Sequence, residues 1–163
     1  MQEAVVNFLY SFGLSPKVTV LLLSTLPVTE LRASIPIGIL LLKQDVYSVF
    51  FYAVIGNLLP IAPIYFLLDP ISKRLSRTKC MRIFFDWLLA RAKKRSGLIE
   101  KYEALGLMLF VGIPFPGTGV WTGCLIASLL RIHFLPTFIA ATLGVLIAAT
   151  VVTVITVTGK AIF

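Results

Sequence analysis

The feature that most constrains this chain is a set of four long apolar runs, residues 18–42, 46–68, 104–130 and 135–158. Prolines interrupt the first and third mid-run. A helix needs about 20 apolar residues to cross a bilayer, and lipid tolerates irregular backbone only where protein shields it. The 163 residues are 58% hydrophobic, with a mean hydropathy of +0.97, which leaves too little polar surface to cover a soluble domain. The expected class is an all-α membrane protein forming a single membrane domain over residues 1–163.

Charge gives the chain a direction. The net charge is +8 with fifteen basic residues, and ten of them crowd one stretch: Lys73, Arg74, Arg77, Lys79, Arg82, Arg91, Lys93, Lys94, Arg95 and Lys101. Lys and Arg resist translocation, so such a cluster marks a cytoplasmic loop. Residues 70–103 are therefore expected in the cytoplasm, with the chain in the cell (inner) membrane. Within them Met81, Phe84, Phe85, Leu88 and Leu89 recur at the spacing of an amphipathic helix, expected at residues 81–92 on the membrane surface, where anionic headgroups are a natural partner. Nucleic acid is not expected as a partner, since no stacking platform or known module accompanies the charge. Cys80, Cys124 and the single histidine, His133, are too few for a disulfide framework or a Cys/His metal site; no metal or cofactor is expected. The start, Met1-Gln2-Glu3, lacks a basic n-region, so no removable leader is expected, and residues 4–12 suit a helix lying at the interface.

The first run, bracketed by Lys17 and Lys43, contains Pro27 and Pro36; the third contains Pro114-Phe115-Pro116-Gly117-Thr118-Gly119. These four prolines are the expected breaks. Each broken run is followed by a cleaner span, and the offsets agree. From Pro27 to Gly56 is 29 residues, and from Pro114 to Gly144 is 30. Two repeats are therefore expected, 14–69 and 104–163, joined by the basic connector 70–103. Each broken run fits either a full crossing or a re-entrant hairpin, and the hairpin is the preferred reading. A hairpin plus one span makes an odd number of crossings per repeat and so inverts the second repeat. That is the arrangement in which transporters hold substrate near the midplane, between discontinuous helices.

Glu30 and Arg32 are the charges inside these runs, and each costs about 2.5–3.5 kcal/mol at the bilayer centre on insertion scales unless paired or wetted. In the extended chain that Pro27 and Pro36 permit, residues i and i+2 point to one side and share a cavity. The competing reading is a structural ion pair that only closes the hairpin. Gly117, Thr118 and Gly119 follow two prolines and precede a helix, so their N–H groups can bind an anion, and the same is expected after Pro36. Gly119 and Gly123 also have the G-x-x-x-G spacing of close helix packing. Ser34, Thr122 and Trp121 are candidate lining residues, and Asn57 is expected to hydrogen-bond a carbonyl freed by the prolines. His133 beside Arg131 reads as a solvated flank.

Leu26-Pro27-Val28-Thr29-Glu30-Leu31-Arg32-Ala33-Ser34-Ile35-Pro36-Ile37-Gly38 and Pro114-Phe115-Pro116-Gly117-Thr118-Gly119-Val120-Trp121-Thr122-Gly123 resemble the small multidrug export family, itself similar to the DedA and VTT superfamily of lipid transporters. The resemblance implies two facing re-entrant hairpins with polar tips, here Glu30 and Arg32. It also implies proton-linked movement of phosphate-bearing lipids.

The first functional expectation is a secondary transporter, coupled to a proton or sodium ion, that moves an anionic or amphipathic substrate such as a lipid phosphate. The second is proton-coupled export of small organic cations at Glu30. The third is a non-transporting assembly or lipid-organising protein. Catalysis is not expected, because no nucleophile, base and orienting group stand together. Thin walls around irregular backbone favour a homodimer among membrane lipids.

Overall fold

The computed structural model describes residues 13–66, 104–115 and 118–162. The N-terminal segment 4–12 and the amphipathic stretch 81–92 lie outside them. All regular structure among the described residues is helical: α1 (Pro16–Thr25), α2 (Glu30–Pro36), a π-helical turn (Ile37–Leu41), α3 (Val46–Leu58), α4 (Ala104–Gly112), α5 (Val120–Leu129) and α6 (Phe134–Ile162). Among the described residues, two stretches are long and apolar enough to cross a membrane, Val46–Phe66 and Phe134–Gly159, matching the second and fourth apolar runs. At about 1.5 Å per residue, 21 residues reach about 30 Å, one hydrocarbon thickness. The chain divides into two compact units, Met1–Leu59 with Val145–Phe163, and Pro60–Gly144.

In the first unit the chain reverses between α1 and α2. Ser15 caps α1 by accepting from the Val18 N–H, and Pro16 sits at the helix start, where its missing N–H costs nothing. The helix stops at Leu26-Pro27, and a turn over 27–29 leads into α2. The reversal is fixed by side chains far apart in sequence. Ser24 and Ser34 share a buried hydroxyl–hydroxyl hydrogen bond, and a Cβ placed on Gly38 would lie 2.9 Å from Val20. Ten residues of continuous helix would hold Ser24 and Ser34 about 15 Å apart, so α1 and α2 form a helical hairpin.

Asp45 caps α3 through the Ser48 N–H, and α3 then runs parallel to α1. Gly38 of the π turn packs against both Val20 of α1 and Val49 near the start of α3, while Gly56 packs on Leu21 and Ser24 further along both helices. Gly56 is required there, because a Cβ would stand 2.2 Å from the Leu21 carbonyl oxygen.

The second unit repeats this local design. Gly123 on α5 faces Leu107 and Val111 on α4, so the chain reverses between them across residues 113–119. On α6, Gly144 seats against Met108 and Val111, where a Cβ would lie 2.7 Å from the Met108 carbonyl oxygen. Leu21 and Ser24 are three residues apart, as are Met108 and Val111, so each span rests a glycine on one turn of its hairpin's first arm. These are the glycines that the sequence offsets bring into register. Both hairpins also end on a cation with left-handed backbone, Lys43 (φ 49) and Arg131 (φ 56). A left-handed residue closes the end of a helix, and a basic side chain complements its negative pole.

One expected break is not a break. Pro36 lies inside helix, and the chain continues without interruption into the π-helical turn, where Leu42 donates to Ile37 O and Gln44 to Gly38 O. The wider π turn absorbs a proline in mid-helix. The Ile37 N–H is held by Ala33 O and Ser34 O, so the anion site expected after Pro36 has no free donor there. Pro27 and Pro114 do fall at the reversals; Pro116 and Gly117 lie outside the described residues.

Candidate functional site

The tip of the first hairpin carries the charges. Leu26 O accepts from the Glu30 N–H, and Thr29 closes the turn by donating from its hydroxyl to Leu23 O. Glu30 opens α2 with φ 45, a left-handed conformation that is uncommon outside glycine, asparagine and aspartate. Such backbone persists only where its surroundings hold it. Here the Arg32 guanidinium donates from Nη1 to Glu30 Oε2 at 2.8 Å, and Glu30 is 5% exposed. The two residues meet as expected, by a different route. They do not lie on an extended chain; the positive φ at Glu30 turns its side chain back over the first turn of a helix.

Behind this pair lies polar chemistry that the sequence analysis only half identified. Ser34 is fully buried and bonded to Ser24, which had not been singled out. Thr25 donates to Leu21 O and also across to Gly56 O, tying hairpin to span. Asn57, expected to bond such a carbonyl through its amide N–H, is 2% exposed, and its Oδ1 accepts no hydrogen bond among the described residues. A buried amide oxygen without a donor costs about 1–3 kcal/mol, a cost that strain, a bound water or ion, or a functional role has to account for. The missed signal was the run Ser24-Thr25 immediately before Leu26-Pro27, two hydroxyls at the end of an apolar helix.

The second hairpin's tip is neutral. Thr118 is buried, and its hydroxyl lies 2.7 Å from both Ile113 O and Phe115 O, while its N–H donates to Phe115 O. It therefore closes its own turn. Gly119 is the N-cap of α5 and accepts there from the Gly123 N–H; Thr122 and Trp121 are half-buried on the first turn. The positions of Ser24 and Ser34 are taken in this hairpin by Val111 and Trp121, so the buried polar cluster belongs to the first hairpin.

The serine pair makes a direct test. Ser34→Ala leaves the Ser24 hydroxyl buried without its partner and is expected to destabilise by about 1–3 kcal/mol, whereas removing both hydroxyls is expected to be nearly neutral. Thermal unfolding of the two variants in detergent measures the difference; equal losses would show that the bond contributes nothing.

The family model described as "Putative small multi-drug export protein" matches residues 30–151, well over half of the chain. The chain belongs to this small multi-drug export family. The match begins at Glu30 itself, just past the first reversal, and takes in Arg32, the second reversal, the first span and the second span up to Val151. It makes the chain a membrane protein of an export family, and it points to transport rather than catalysis. The chain matches no curated protein and no solved structure.

Proposed function

We propose that the chain is a secondary transporter, driven by a proton or sodium ion, that moves an anionic or amphipathic solute such as a lipid phosphate past the Glu30–Arg32 tip. The observation that carries this reading is a buried carboxylate, held in left-handed backbone and bonded to a guanidinium, at the reversal of an apolar hairpin. Ionisable residues inside membrane segments are functional by default. Glu30 is the group that can take up and release a proton; Arg32 is the group that attracts a phosphate or carboxylate. Asn57, whose Oδ1 has no partner among the described residues, is a further ligand in the same unit.

In this reading both hairpins are re-entrant and the two repeats are inverted, with their tips meeting near the midplane. The parallel packing of each span on the first arm of its hairpin supports it, because a broken run that crossed fully would place that arm antiparallel to the following span. Residues 70–103 are cytoplasmic, the membrane is the cell (inner) membrane, and a homodimer shields the hairpins from lipid. The similarity to the DedA and VTT superfamily supports the lipid-phosphate substrate.

The second reading, proton-coupled export of organic cations at Glu30, is favoured by the family's own description. Proteoliposome flux under an imposed proton or sodium gradient separates the two. Lipid-phosphate flux lost in both Glu30→Gln and Arg32→Gln is the expected result. Organic-cation flux that needs Glu30 but survives Arg32→Gln supports the second reading, and flux of neither by folded protein removes both.

A further inference from the structure

Asn57 is the twelfth of the 21 residues in the stretch Val46–Phe66, so at about 1.5 Å per residue its amide lies near the middle of the span. It is buried, and its Oδ1 has no hydrogen-bond partner among the described residues. An acceptor left bare at that depth calls for a donor or a positive charge.

What lies beside it favours a positive charge. The preceding residue, Gly56, is seated on the last turn of α1, where a Cβ on it would lie 2.9 Å from the Ser24 Cβ and its carbonyl oxygen accepts from the Thr25 hydroxyl at 3.0 Å. α1 therefore ends at the depth of Asn57. Its last turn contains no basic residue, so no cation of that turn meets the negative pole of the helix. One residue further on, Leu26 O accepts from the Glu30 N–H at 3.0 Å, which keeps the buried acid at the same level. Arg32 holds Glu30 from the more exposed side, its side chain being 20% exposed against 7% for the acid. Lys17 and Lys43 stand at the other end of the hairpin, one on the first turn of α1 and one just past the π-helical turn. Besides Arg32, the polar side chains gathered here, Asn57, Ser24, Thr25, Ser34 and Glu30, all offer oxygen.

We propose that Asn57 Oδ1 is a ligand of a sodium ion held between the end of α1 and Glu30. Oxygen ligands and the C-terminal end of a helix broken in mid-membrane are the setting in which transporters hold sodium. A divalent ion would need more negative charge than one carboxylate already shared with Arg32 supplies, and among the described residues no group of three His, Cys, Asp or Glu could hold a metal ion. An enclosed site favours the smaller alkali ion over potassium. Sodium as the driving ion rests on the proposed transport function; the binding itself does not.

The test measures thermal unfolding and radioactive sodium binding of the full chain in detergent, at constant chloride with sodium, potassium or choline as the cation. At a hundredfold excess over its Kd, sodium is expected to raise the unfolding temperature by about 5–10 °C, with one equivalent bound, while potassium and choline leave it unchanged. Asn57→Leu removes the bare oxygen, so it should unfold no earlier than the wild type in choline and should lose the sodium response. If that variant does not fold, Asn57→Asp, which keeps an oxygen and adds a charge, should move the sodium midpoint to lower concentration. Thr153→Val removes another buried hydroxyl without a partner in the same unit and should keep the response. Equal unfolding temperatures in the three salts with no sodium bound would overturn the site and leave the transport function standing. A sodium response that survives Asn57→Leu, or that Thr153→Val also abolishes, would overturn it as well. Sodium bound at Asn57 without flux under either gradient would keep the site and remove the transport function.

Discussion

Gly56→Ala is expected to abolish accumulation of folded protein, although it adds one methyl group and favours helix. The new Cβ would lie 2.2 Å from the Leu21 carbonyl oxygen and 2.9 Å from the Ser24 Cβ. The first contact is with backbone, so no rotamer change relieves it, and α1 and α3 must separate. Overpacking a core typically costs about 1–3 kcal/mol. Here separation also breaks the Thr25–Gly56 hydrogen bond and loosens the hairpin beneath the Glu30–Arg32 tip. Gly144→Ala, with its contact at 2.7 Å to Met108 O, should follow in milder form. Gly159, which has nothing within 4 Å, is the control. Its replacement by alanine should be neutral or stabilising by up to about 1 kcal/mol, the difference in helix propensity. Fluorescence-detected gel filtration of the three variants after heating orders them; Gly56→Ala as stable as Gly159→Ala would refute the carbonyl seat.

The second large effect concerns the ion pair. Breaking a buried pair by removing one member costs about 3–5 kcal/mol because the other charge is stranded. The side chain of Arg32 is 20% exposed, which lowers the expected loss for Glu30→Gln below that range. Arg32→Gln strands a more deeply buried carboxylate and is expected to be the costlier change. The double replacement leaves no charge and should be more stable than either single variant. Transport should nonetheless stay absent in all three. The two measurements together separate a working pair from a structural one, since a double variant with wild-type flux would mean that the pair does no more than close the hairpin.

The sequence made the helical class, the two spans and the register of Gly56 with Gly144 readable, because length, hydropathy and offset are one-dimensional signals. Pairing of Glu30 with Arg32 was also readable, but its geometry was not. The expectation assumed extended backbone, since neither proline predicts a left-handed glutamate. Pro36 misled for a related reason: proline signals a missing hydrogen bond, and whether a chain breaks or widens into a π turn is settled by packing such as that of Gly38 against Val20 and Val49. Ser24 and Thr25 were overlooked because hydroxyls in an apolar helix ordinarily bond back to their own turn, as Thr25 does to Leu21 O, and their long-range partners appear only once the chain has doubled back.

The division of the chain into units has a consequence for biogenesis. One unit joins Met1–Leu59 to Val145–Phe163 and the other is the intervening segment, so the part that carries Glu30 is assembled from two segments with the whole of the other unit synthesised between them. It cannot mature when it first emerges. The nascent hairpin must wait in the bilayer until Val145–Phe163 have been made, and deletions within that segment should injure it as surely as changes beside the acid.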